Sequence, residues 1–122
     1  MSLSPEADGD LTVAVTQSAG HTVVHVSGEI DVATCERLRD AIEPHLGPEQ
    51  RVVLDLSRVS FMDSSCLTVL LKARTTLTAD GGSLILQNPS DAARRVLSVT
   101  GVEALFEHEE DGSTTVGVVP SR

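Results

Sequence analysis

The stretch Arg51–Leu71, RVVLDLSRVSFMDSSCLTVLL, decides how the chain is read. Its first part, Arg51 to Leu56, is a near-continuous apolar run. That pattern belongs to a strand covered on both faces, as in the middle of an α/β sheet. Beyond the joint, Leu67, Leu70, Leu71 and Leu77 recur at helical spacing, which predicts a helix of about four turns after Asp63. Between strand and helix stand Asp63, Ser64 and Ser65 side by side. One of them serves as a helix cap, worth about 0.5–2 kcal/mol. A cap needs one polar residue, so the other two call for a further reason.

Working outward, Leu11, Val13 and Val15 alternate with polar or small residues, which suits a strand. A turn at Ser18–Gly20 leads to a second strand over Thr22–Val26, and the short connection predicts a hairpin. SGEID follows at 27–31, where Asp31 or a neighbour caps a helix with Val32, Cys35, Leu38 and Ile42 as its apolar positions. Pro44 ends or frays that helix. After Arg51–Leu71, Ala79-Asp-Gly-Gly82 closes the second helix. Ser83–Gln87 is a strand, and Pro89-Ser-Asp91 opens a third helix with Val96 and Leu97 inward and Gly101 past its end. Val102–Phe106 reads as a short strand or packed loop. The residues after Phe106 have poor helix propensity. The order β-β-α-β-α-β-α predicts a single α/β domain over 11–106, its later strands parallel through right-handed crossovers. Residues 1–10 read as a flexible acidic tail, and 107–122 as a weakly specified C-terminal segment.

A chain of 122 residues predicts one domain. Phe61 and Phe106 are its only aromatic residues, so the core is built from Val, Leu, Ile and Ala. No apolar run approaches the length of a membrane span, and MSLSPEADGD lacks the features of a secretory signal. A cytoplasmic protein is the expectation. The net charge of −9 is carried mostly by the flanks, in Glu6, Asp8 and Asp10 and then in Glu103, Glu107, Glu109, Glu110 and Asp111. Acidic flanks repel nucleic acid and anionic lipid, so neither is an expected partner. Cys35 and Cys66 lack C-x-x-C spacing and are expected as reduced side chains, with a disulfide as the second reading. His21, His25, His45 and His108 are scattered. His21 and His25 share one face of a strand and read as a satisfied or solvated pair, without a metal-ligand pattern.

Beyond the cap, two chemistries compete for the serines. A hydrolase nucleophile would need G-x-S-x-G and a paired histidine, and D-S-S-C-L offers neither. Cys66 reads as a small packed residue. A phosphorylation switch fits better: phosphate adds about −1.5 to −2 charge, which a helix N-terminus accommodates and a docked partner does not.

The residues SGEID at 27–31, VVLDLSRVSFMDSSCL at 52–67, GGSLIL at 81–86 and LSVTGV at 97–102 resemble, in content and order, the STAS-domain anti-sigma factor antagonists. The resemblance implies a small mixed sheet of four to five strands packed with helices. It also implies a non-enzymatic regulator without catalytic residues, cofactor or metal. Its unphosphorylated form binds an anti-sigma factor serine kinase and releases a sigma factor. Phosphorylation reverses the binding, and a metal-dependent serine phosphatase resets it. The serine after the aspartate takes the phosphate, which is Ser64 here, with Ser65 as the second choice. Asp31, Asp63, Ser64, Ser65 and Cys66 form the implied partner surface. Cys66 stands where the family usually carries glycine, adding a Cβ and a thiol where the kinase approaches. The alternative reading is a STAS scaffold or nucleotide-sensing module that needs no phosphoryl transfer.

Overall fold

The computed structural model describes residues 11–19, 21–110 and 113–115. The acidic tail expected over residues 1–10 lies outside them. Strands β1 (Leu11–Ser18) and β2 (His21–Ile30) form the hairpin, followed by helix α1 (Cys35–Ile42), β3 (Arg51–Met62), α2 (Leu67–Ala79), β4 (Ser83–Gln87), α3 (Asp91–Thr100), β5 (Glu107–Glu110) and β6 (Ser113–Thr115). They make one mixed sheet in the order β1-β2-β3-β4-β5-β6. The β2–β3, β3–β4 and β4–β5 pairs are parallel, and the two outer pairs are antiparallel. Each helical crossover steps one strand in the same direction. Right-handed connections of that kind put all three helices on one face.

That face holds the core. Val24, Val26 and Ile30 of β2, Val52, Leu54 and Leu56 of β3, and Leu84 and Leu86 of β4 meet Leu38 and Ile42 of α1, Leu70 and Leu77 of α2, and Leu97 of α3. Val53 and Ile85, also fully buried, pair in register on the opposite face. They explain why β3 reads as apolar without alternation, although no helix among the described residues covers them. Polar groups flank them instead. Arg51 Nη2 donates to Glu109 Oε2 at 3.2 Å, Gln87 Nε2 donates to Glu109 Oε1 at 2.7 Å, and His25 Nδ1 lies 3.0 Å from Asp55 Oδ2.

Several boundaries differ from the sequence reading. β2 runs on through Ser27-Gly28-Glu29 to Ile30, with register shifts against β3 that Gly28 accommodates at φ 104°. Residues 31–34 are then a turn rather than helix, and Val32, expected inward, is 78% exposed. α1 stops at Ile42, and Pro44 lies in a short 3-10 turn, Glu43–His45. Val102–Phe106 holds no strand: Glu103–Leu105 is a 3-10 turn, and the strand comes after it, at Glu107–Glu110. Its sequence, EHEE, carries no apolar signal, because pairing with β4 and the buried Glu109 contacts hold it in place. The sheet therefore has a sixth, short strand beyond the four to five expected.

Chain reversals follow local chemistry. Ser90 Oγ caps α3 by accepting from Ala93 N at 3.2 Å, and Gly101 ends it at φ 79°. Gly82 is required for closeness rather than for φ, since a Cβ there would lie 2.3 Å from the carbonyl oxygen of Gln50. Partial burial raises the affinity of the Asp55 carboxyl for its proton. Hydrogen bonds from Ser57 and His25 outweigh this and hold the group below its ordinary value of 3.8.

Two outcomes are expected. Gly82→Ala forces backbone against backbone and should cost about 1–3 kcal/mol, read by circular dichroism in urea because the chain has no Trp or Tyr. An unchanged midpoint would show that the β4 entry relaxes freely. Because the Asp55 pKa is depressed on folding, its stabilisation is complete above the ordinary value and is lost as pH falls through the folded one. Asp55→Asn should therefore flatten the acid limb of the stability curve, and an unaltered limb would contradict the assignment.

Candidate functional site

The site is built by strand register. Ile30 pairs with Met62 at the ends of β2 and β3, so Asp31 and Asp63 leave the sheet side by side. The Asp63 N–H donates to the Ile30 carbonyl at 3.2 Å, which fastens the two exits together.

At the first exit, Asp31 organises a turn. Its Oδ1 accepts from the N–H groups of Ala33 at 2.9 Å and Thr34 at 3.1 Å. Its carbonyl accepts from Thr34 N and Cys35 N. The buried Thr34 hydroxyl accepts from Asp31 N at 3.0 Å and donates to the Glu29 carbonyl at 2.8 Å. Asp31 thus caps, as expected, but it caps a turn preceding α1, and Thr34 is the helix N-cap residue.

At the second exit, Asp63 adopts an extended N-cap conformation before a 3-10 turn, Ser64–Cys66, that leads directly into α2. Its Oδ1 accepts from Ser65 N at 2.9 Å and also from the Ser65 hydroxyl. The three polar residues therefore divide their roles. Asp63 is the cap and Ser65 is its donor. Ser64 is exposed, and its hydroxyl has no hydrogen-bond partner among the described residues.

Ser64 shares a shallow cleft of about 280 Å³ with Arg95, Val96, Val99 and Thr100 of α3. Sequence reading missed this wall, because nothing in the spacing of α3 announces that its exposed side reaches the Ser64 turn. Val99, 81% exposed, together with exposed Phe61 and Val32, adds apolar surface to the same end of the molecule. Each of these three sits within four residues of a strand end or of the cleft.

Cys66 is fully buried beneath the turn, consistent with its reading as a packed residue. Cys35 and Cys66, expected as reduced side chains, face each other with their Cα atoms 5.4 Å apart, inside the range that a disulfide spans. Cys35 opens α1 and Cys66 ends the 3-10 turn, so parallel β2 and β3 bring them together although 31 residues separate them. Spacing along the chain carries no sign of this contact. All five expected surface residues, Asp31, Asp63, Ser64, Ser65 and Cys66, thus lie on two adjoining turns, with Cys66 under the surface rather than on it.

Residues 12–116 match the family model of the STAS domain. An anti-sigma-B factor antagonist of Bacillus subtilis is 31% identical over 98 residues, covering 80% of this chain and 90% of its own. The crystal structure of an anti-sigma factor antagonist from Mycobacterium paratuberculosis superposes with a TM-score of 0.70 at 31% identity, over 84% of this chain and 88% of that one. The anti-sigma factor antagonist SpoIIAA in its unphosphorylated form gives 0.70 at 26% identity, over 82% and 90%. The Bacillus SpoIIAA structure in the phosphorylated form gives 0.64 at 26%, over 82% and 93%. With the family model matching most of the chain and a relative 31% identical over most of its length, the chain belongs to the STAS domain family, alongside the anti-sigma factor antagonists.

Proposed function

We propose that this chain is a cytoplasmic, non-enzymatic partner switch. Unphosphorylated, it docks on an anti-sigma factor that is a serine kinase and so releases a sigma factor. Phosphorylated on Ser64, it lets go, and a metal-dependent serine phosphatase restores it. The observation that carries this reading is the division of labour at the second turn. Ser64 presents an exposed hydroxyl with no hydrogen-bond partner among the described residues, while Asp63 and Ser65 satisfy each other. The phosphorylated and unphosphorylated forms of the structural relative SpoIIAA are in keeping with it.

The physics of the switch is local. A phosphate on Ser64 brings about −1.5 to −2 charge. It sits at the N-terminal end of the 3-10 turn and α2, where the positive end of the helix dipole favours negative charge. The fold therefore survives modification. A partner fitted over Asp31, Ser64 and the exposed apolar residues meets new charge and bulk at the centre of the contact, and dissociates.

Two variants test this. Ser64→Asp retains the fold and adds charge. As bait in lysate of the source organism it should capture the anti-sigma factor about tenfold less than wild type, equivalent to about 1.4 kcal/mol. Equal capture of the same anti-sigma factor would move the switch away from Ser64. Recovery of an unrelated signalling assembly by both baits would favour a scaffold role. Asp31→Ala would remove a turn acceptor together with a charge, so Asp31→Asn is the cleaner probe. It should retain wild-type stability and lose capture, and undiminished capture would take Asp31 off the docking surface.

A further inference from the structure

We infer that Cys35 and Cys66 are a reversible oxidation site, whose closure by hydroperoxide ties the Asp31 turn to the Ser64 turn and stiffens both. Its consequence for partner binding rests on the function proposed above, but the chemistry and the stiffening do not.

Each sulfur is seated against the backbone of the opposite turn. Cys66 Sγ lies 3.6 Å from the Asp31 carbonyl oxygen, and Cys35 Sγ lies 3.7 Å from the Ser65 carbonyl oxygen. Asp31 and Ser65 are the residues that the two turns use for their own closure. Without the sulfur link, the exits are held by the Asp63 N–H to Ile30 carbonyl bond and by packing. A covalent bond one residue beyond Ser65 therefore acts directly on the frame that presents Ser64.

The two cysteines are unequal in a useful way. Cys66 is 0% exposed, whereas Cys35 is only half-buried, so a small oxidant reaches Cys35 first. Cys35 stands at the start of α1 and Cys66 at the start of α2. The Cys35 thiolate attacks one oxygen of a hydroperoxide and breaks the O–O bond. Cys35 becomes a sulfenic acid, and the hydroxide or alkoxide leaving group takes up a proton. The Cys66 thiol, having lost its proton, attacks the sulfenic sulfur and expels the oxygen as water. In sum, two thiols and one hydrogen peroxide give one disulfide and two waters. A dithiol reductant reverses it by exchange, supplying two electrons and two protons. In a reducing compartment such a pair rests as the dithiol and closes under oxidant, which is the usual role of a cytosolic disulfide. Closed, the docking surface is preformed, so partner binding loses less conformational freedom.

The test uses the full chain, reduced, desalted and exposed to hydrogen peroxide. Maleimide labelling with intact-mass and peptide analysis follows the thiols, and hydrogen exchange follows the peptides covering 31–35 and 63–67. The expected result is an intramolecular Cys35–Cys66 link that dithiothreitol reverses. Exchange in both peptides should be about tenfold slower in the linked form. Cys35→Ser, at the more exposed position, should abolish the link and leave exchange insensitive to peroxide. Intermolecular dimers, Cys35 stopping at sulfinic acid, or equal exchange in linked and reduced chains would each overturn the inference. None of these readouts involves a kinase, so failure of the phosphorylation reading would leave them untouched, and the reverse also holds.

Discussion

The parallel pairing of β2 with β3 is the constraint on which the rest depends. It runs from His21 opposite Arg51 to Ile30 opposite Met62, passing two register shifts on the way. Such shifts bend strands and are common beside functional sites. Here they bring both strands to an end at the same level. Every later feature of the site follows: two aspartates leaving the sheet together, two turns each closed by a carboxylate, and two cysteines placed under them.

A division between rigid frame and available group runs through the site. The carboxylates of Asp31 and Asp63 accept main-chain N–H groups, and Ser65 and Thr34 complete the two turns with their hydroxyls. The frame leaves the Ser64 hydroxyl over. A phosphate acceptor on a fixed frame changes surface charge without a change of fold, which a switch based on protein–protein contact requires. The neighbouring α3 supplies Arg95 and the apolar Val99 to the same cleft, so the third helix borders the Ser64 turn as the second does.

Much of this was legible in the sequence because its causes are local. The hairpin, the apolar β3, the helix after Asp63, the glycine stop at 81–82 and the Ser90 start of α3 are all set by periodicity, capping and turn chemistry. The remainder depended on partners distant in sequence. β5 is polar throughout, and its pairing with β4 and β6 and the buried Glu109 contacts to Arg51 and Gln87 identify it as a strand. Val32 fitted a helical stripe but falls in a turn closed by Asp31 and Thr34. The Cys35–Cys66 contact depends on strand register across 31 residues. Family resemblance pointed to Ser64 over Ser65. The structure adds one difference between the two, a hydrogen bond from the Ser65 hydroxyl to Asp63, which no reading of adjacent serines supplies.

The central claim is that Ser64 is the phosphate acceptor. Its most direct test is to incubate the chain with ATP and the anti-sigma factor it captures, and to locate any phosphate by fragmentation mass spectrometry of the peptide spanning Ser60, Ser64 and Ser65. The account predicts one phosphate, on Ser64. Phosphate on Ser65 with Ser64 unmodified, or no phosphate on a chain that still binds the anti-sigma factor, would contradict it.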